Sequence, residues 1–125
     1  MEIVCSTDSK YIMPTGIMLT SLFESNRGEV VNVHLLHDQD SAALLDSIRT
    51  IAARYQQNIH FYLINDDIFK HFPVGLDFQV DHVGTSFATY YRLYLTEILP
   101  ADIDKVIYLD GDILVVDKLV KLWNT

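Results

Sequence analysis

Three stretches of this 125-residue chain place two aspartates one residue apart: Asp38-Gln39-Asp40, Asp102-Ile103-Asp104 and Asp110-Gly111-Asp112. Paired carboxylates are hard oxygen donors. They suit a divalent cation such as Mg²⁺ or Mn²⁺, which keeps positions open for waters and phosphates. The pattern alone is weak, because thirteen aspartates give about 1.3 such triplets by chance. Context separates the three. The first precedes a helical pattern and reads as turn and cap chemistry; the second follows Pro100 and reads as a solvated turn. Only Asp110-Gly111-Asp112 lies between two apolar β-type runs, Val106–Leu109 and Ile113–Val116. There the carboxylates are expected at the end of a buried strand, where a cation would relieve the cost of unpaired charge. Residues i and i+2 of an extended chain share a side, so both carboxylates are expected to converge on one ion. Gly111 lets the backbone bend or approach a ligand closely. The alternative at this point is a polar loop that merely follows a strand.

Other polar residues carry two readings each. Asp8, after the apolar run Ile3–Thr7, is either a turn former or a member of a site. Arg92, in Thr89-Tyr90-Tyr91-Arg92-Leu93, either snorkels to solvent or pairs with an acid such as Glu97, or it offers a fork-shaped donor to a phosphate or a carboxylate. The five histidines have no metal-ligand spacing; His34 and His60 fall within strands and read as structural, and His37 ends a strand. Cys5 lies inside a strand and reads as a buried, inert thiol. No Walker loop and no G-x-G-x-x-G is present, so neither an NTPase nor a dinucleotide dehydrogenase has support.

The elements that would position these residues alternate in type. Strands are predicted at Ile3–Thr7, Val30–His37, Asn58–Ile64 and Val106–Leu109. A first helix is predicted over Tyr11–Asn26, with Met13/Ile17, Met18/Leu22 and Leu19/Phe23 forming an apolar face and Asn26-Arg27-Gly28 as its stop. Ser41 is the expected cap of a second, with Leu44/Leu45, Ile48, Ile51/Ala52 and Tyr55 on its apolar face. Further helical segments are predicted at Asp66–His71, Ser86–Leu99 and Lys118–Trp123. Such alternation implies an α/β fold, a mainly parallel sheet with helices on both faces. In open sheets of this kind ligands sit beyond the carboxyl ends of the strands. That rule selects Thr7-Asp8-Ser9-Lys10 and Asp110-Gly111-Asp112.

Composition bounds the partners. Half the residues are hydrophobic, and the formal net charge is −8. The length suits one domain, and the acidic balance disfavours nucleic acid or an anionic membrane as main partner. No apolar run reaches the roughly 18 residues of a membrane span. The start, Met1-Glu2-Ile3, lacks signal-peptide character, so a cytoplasmic location is expected.

Three blocks together carry a family resemblance. They are Ile3–Tyr11 with the Gly16–Ser25 helix containing Ser21-Leu22, then Ser86–Leu93, then Lys105–Val116 running on to Leu119 and Leu122-Trp123. In this order they resemble the amino-terminal half of the family 8 glycosyltransferases. That family has the GT-A fold and includes bacterial lipopolysaccharide galactosyl- and glucosyltransferases and glycogenin. The resemblance implies a Rossmann-like GT-A sheet, a UDP-sugar donor, a saccharide or glycolipid acceptor, a Mn²⁺ (or Mg²⁺) ion, and transfer with retention of configuration. Asp110 and Asp112 match the metal-binding Asp-x-Asp. Thr7, Asp8 and Tyr11 match the region that holds uracil and ribose, and Arg92 matches an arginine that binds the nucleotide. Lys10 departs from the asparagine of many members, but a lysine there can reach a phosphate; with Gly111 it completes the expected UDP-sugar-binding set. No catalytic base is matched.

Family members continue past Trp123-Asn124-Thr125. The resemblance therefore implies a single donor-nucleotide part over residues 1–125, truncated after the Asp-x-Asp strand. The third metal ligand (a histidine), most sugar contacts and the acceptor site would lie beyond it. Two other functions compete. A degenerate domain that binds a partner, by self-association or by pairing with the missing half, follows from that truncation. A haloacid-dehalogenase-type phosphatase also opens on strand and Asp-x-Asp. It wants Thr or Val where Leu114 stands, and its motif lies on the first strand rather than the fourth.

Overall fold

The computed structural model describes residues 1–64 and 95–125. Its centre is a four-stranded sheet of β1 (Glu2–Thr7), β2 (Asn32–His37), β3 (Asn58–Leu63) and β4 (Ile107–Tyr108), in the order β3-β2-β1-β4. Every described pairing is parallel, with Glu2 opposite Asn32 opposite Asn58 at one end and Thr7 opposite His37 opposite Leu63 at the other. The carboxyl ends of β1, β2 and β3 are thus level. Parallel neighbours need crossovers. Helix α1 (Ile12–Ser25) joins β1 to β2, and a 3₁₀ turn (Ala42–Leu44) leading into α2 (Leu45–Arg54) joins β2 to β3. Short helices α3 (Leu95–Ile98) and α4 (Val120–Trp123) complete the described elements.

The two faces of the sheet follow from strand alternation. Ile3, Cys5, Val33 and Leu35 turn to one side, where Met18, Leu19, Leu22 and Phe23 of α1 and Leu45, Ile48 and Ala52 of α2 bury them. Val4, Leu36 and Ile64 turn to the other, against Leu95, Ile98, Leu99 and Val106. The expected parallel α/β sheet with helices on both faces is therefore present. At the amino ends of the strands this second face is polar. Asn58 donates to Asn32, Asn32 donates to Glu2, and His34 bonds both Glu2 (2.6 Å) and the Tyr62 hydroxyl (2.9 Å) while stacking on His60. His34 is structural, as expected. Cys5 is fully buried, and burial pushes its thiol pKa up to about 12.

Several local expectations change. Met13 and Ile17 are 74% and 57% exposed, so that pair is not core; the buried stripe of α1 is Met18, Leu19, Leu22 and Phe23. Leu44 is likewise exposed. Ser41 does not cap α2 with its side chain. Its hydroxyl donates to the Asp38 carbonyl, and Asp38 Oδ1 accepts the Ser41 N–H, so Asp38 closes the turn. Residues 113–116 do not resume a strand. The segments predicted at Asp66–His71 and over 86–94 lie outside the described residues. No helix among the described residues is long and apolar enough to cross a membrane.

Candidate functional site

Two loops meet at the carboxyl end of β1. The first is residues 8–11, between β1 and α1. Asp8 is buried, and its Oδ1 accepts the backbone N–H of Lys10 (2.9 Å) and of Tyr11 (3.0 Å). A side chain that stands in for a backbone acceptor in this way holds a tight turn. Tyr11 then caps α1, and its carbonyl accepts the first helical bond, from Thr15 N–H. The turn role of Asp8 is therefore what the contacts show, and Oδ2 makes no hydrogen bond among the described residues. Lys10 and Tyr11 project into solvent. Thr7 is buried beside them, accepting a hydrogen bond from the Thr15 hydroxyl (3.0 Å).

The second loop is Asp110-Gly111-Asp112. It follows β4, whose edge is tied to β1 by Leu109 N–H on the Val4 carbonyl (2.8 Å). Here the structure corrects the expected geometry twice. Asp110 and Asp112 are exposed, so no burial cost calls for a cation. Gly111 and Asp112 form a turn, so the pair is not displayed on an extended strand. Gly111 also has a different reason to be glycine. A Cβ there would lie 2.7 Å from Thr15 Oγ1 and 3.3 Å from the Ser6 carbonyl oxygen. The glycine lets the loop press against the end of β1 and the first turn of α1. Neither Asp110 nor Asp112 makes a hydrogen bond or ion pair among the described residues.

The chain after this turn runs beside α1, which supplies its partners from side chains. Ser21 Oγ accepts Val115 N–H (2.9 Å), Ser25 Oγ donates to the Val115 carbonyl (2.8 Å), and the fully buried Asn26 accepts Leu119 N–H (2.9 Å). Asn26 Nδ2 in turn donates to Leu22. Val115 points inward and joins the core. A shallow groove of about 280 Å³ opens beside Asp112, walled by Met13, Pro14, Ile17, Ile113 and Leu114.

Comparison with known proteins adds identity to this geometry. The family model described as "Glycosyl transferase family 8" matches residues 2–125. The chain belongs to glycosyl transferase family 8. A putative glycosyltransferase of Haemophilus influenzae is 29% identical over 124 residues, 99% of this chain and 35% of that protein. A lipopolysaccharide 1,2-glucosyltransferase of Escherichia coli is 27% identical over 106 residues, 85% of this chain and 29% of that protein. A crystal structure of the galactosyltransferase LgtC in complex with donor and acceptor sugar analogues superposes with a TM-score of 0.76 at 32% identity. That match covers 100% of this chain and 42% of that one. The chain thus spans well under half the length of the family 8 proteins it matches.

Within the family 8 frame, the structure brings Thr7, Asp8 and Gly111 to one end of β1, with Lys10 and Tyr11 at the rim and Asp110 and Asp112 flanking Gly111. Arg92 lies outside the described residues. Sequence reasoning missed Thr15, which lies between the two loops, and Ser21, Ser25 and Asn26, which hold the chain after the second loop to α1. The available signal was polar residues set into an apolar helix. Their partners lie about 90 residues away, which no local pattern shows.

The donor set fits a hard divalent ion in part. Two exposed carboxylates without protein partners are available to share with a cation, and two ligands leave most of an octahedral shell to water and phosphate oxygens. No group of three or more acidic, histidine or cysteine side chains able to hold a metal occurs among the described residues.

Proposed function

We propose that the protein transfers a hexosyl group from a UDP-sugar to a saccharide or glycolipid acceptor, with retention of anomeric configuration. Residues 1–125 form the nucleotide-sugar-binding part of its family 8 domain. The observation that carries this reading is the pair of exposed carboxylates, Asp110 and Asp112, without partners among the described residues and seated by Gly111 against the carboxyl end of β1. That is where open parallel sheets bind ligands. The relatives add support: one is a lipopolysaccharide glucosyltransferase, and another was crystallised with donor and acceptor sugar analogues.

In this reading Asp110 and Asp112 hold Mn²⁺ or Mg²⁺. The ion, when bound, supplies Lewis-acid neutralisation of the diphosphate, which can contribute several kcal/mol. Thr7, Asp8 and Tyr11 line the nucleoside side, with Asp8 Oδ2 open to a ligand donor. Lys10, exposed at the rim of the first loop, and Arg92 would supply cations for the phosphate and the nucleotide. Gly111 keeps the metal loop close to the nucleoside loop. No base is assigned to this chain.

The location proposed is the cytoplasm, with peripheral contact at the inner membrane face. Self-association, or pairing with a further part of the family domain, is supported by the exposed apolar strip of Met13, Ile17, Leu114 and Val116. Sedimentation showing a stable monomer of the 125-residue chain would count against that pairing.

Calorimetric titration of the full-length protein with UDP, with and without Mn²⁺, tests the central reading. Mn²⁺-dependent binding that disappears in Asp110→Ala/Asp112→Ala is the expected result. UDP binding unaffected by metal or by that double substitution would overturn it.

A further inference from the structure

One side chain touches both loops of the site and has no role in the reading above. Thr15 is fully buried in the first turn of α1. Its hydroxyl donates to Thr7 Oγ1 at 3.0 Å, and the Thr7 hydroxyl in turn reaches the Asp8 carbonyl oxygen at 3.3 Å. The same Thr15 oxygen is the atom closest to the position a Gly111 Cβ would take, at 2.7 Å. The Thr15 backbone N–H donates to the Tyr11 carbonyl, which holds the backbone of Thr15 at the start of α1.

We infer that Thr15 is a positioning residue that sets the Asp110-Gly111-Asp112 turn against the nucleoside loop. The inference rests on the metal reading of that turn. Two contacts do the work. The hydrogen bond to Thr7 fixes where the Thr15 oxygen sits, and that oxygen is the seat on which Gly111 rests. Gly111 is the residue between the two carboxylates, so its seating governs where both project. An error there is transmitted directly, because a side chain on Gly111 would meet Thr15 and the β1 backbone at once. Supporting residues of this kind tune metal ligands without touching the ion.

The two parts of the inference are separable. Thr15→Val keeps the shape of the side chain and removes the donor. Thr15→Ser keeps the donor and removes a methyl. Gly111→Ala leaves Thr15 in place and forces the turn away from it. The full-length protein and each variant are titrated with UDP over a series of Mn²⁺ concentrations, and again in chelator without metal. Thr15→Val and Gly111→Ala are expected to raise the Mn²⁺ concentration for half-maximal UDP binding by roughly tenfold or more. Both variants are expected to lose more UDP affinity with Mn²⁺ than in chelator, and Thr15→Ser to follow the wild type. A purely structural role would weaken binding equally with and without metal. That result overturns the inference, as does a wild-type Mn²⁺ response in both Thr15→Val and Gly111→Ala. Should Thr15→Val fail to fold, Thr15→Ala, which also removes the donor, is compared with Thr15→Ser in its place. A wild-type protein whose UDP binding ignores Mn²⁺ overturns the metal reading itself. A metal-dependent wild type with unaffected variants overturns only the role of Thr15.

Discussion

Asp8 and the Asp110/Asp112 pair occupy the same end of the same sheet, yet they spend their charge differently. Asp8 is buried and accepts two backbone N–H groups through one oxygen, which makes its loop. Asp110 and Asp112 are exposed and make no hydrogen bond or ion pair among the described residues. Their loop is held by a glycine packed on Thr15 and, further on, by side chains of α1. A carboxylate that stabilises a turn is only half available to a ligand, whereas one supported entirely by other residues is wholly available. The division of labour places structure on the first acid and leaves the other two free for chemistry.

That contrast can be broken most severely at the second loop. Asp110→Ala or Asp112→Ala in the full-length protein is expected to weaken Mn²⁺-dependent UDP binding roughly 100-fold or more, an effect beyond the outer-shell range. The same substitutions should move folding stability by no more than about 0.5 kcal/mol, since exposed, unpartnered side chains contribute little. A large stability loss on urea denaturation would contradict the contrast. Asn26→Ala attacks the support rather than the acids. It strips the Leu119 N–H of its acceptor at a buried site and is expected to cost about 2–3 kcal/mol, read from the urea midpoint.

Asp8→Ala should show the reverse of the Asp110 result. Loss of the acceptor for two N–H groups is expected to cost about 1–2 kcal/mol. Asp8→Asn, which keeps the acceptor oxygen, should recover most of it. Equal losses in the two variants would show that charge, not the turn, is what matters there.

The smallest effect lies at the opposite end of the sheet, where Glu2 is an acid with saturated partners. Burial pushes its carboxyl up, but the bonds from His34 and Asn32 and the pull of His34 and the amino terminus outweigh this. The folded pKa is held below the ordinary 4.5. A depressed carboxylate pKa means that the stabilisation is present above the unfolded value. It is then lost as pH falls from about 4.5 through the folded value. Glu2→Gln should flatten the stability profile in that acid window and lower the plateau above it by the same stabilisation, as measured by thermal melts across pH.

Much of this was legible before any coordinates. The strand and helix alternation is local, so β1, β2, β3, α1 and the parallel arrangement follow from apolar spacing. The carboxyl-end rule then picked out Thr7–Lys10 and Asp110–Asp112 without further help. The errors have physical causes. Met13 and Ile17 repeat at helical spacing, but periodicity records only that a face is apolar, not that something covers it. Ile113–Val116 has β-type composition, but a strand needs a backbone partner, and α1 side chains bond Val115 instead.

The residue types, their order and their periods thus determined the fold class and the candidate acids, because those depend on interactions within a few residues. Only the tertiary structure decided which acid is structural, why Gly111 is a glycine, and that Thr15 joins the two loops. Those facts rest on the close packing of residues as many as 96 positions apart in sequence, a separation that no local pattern encodes.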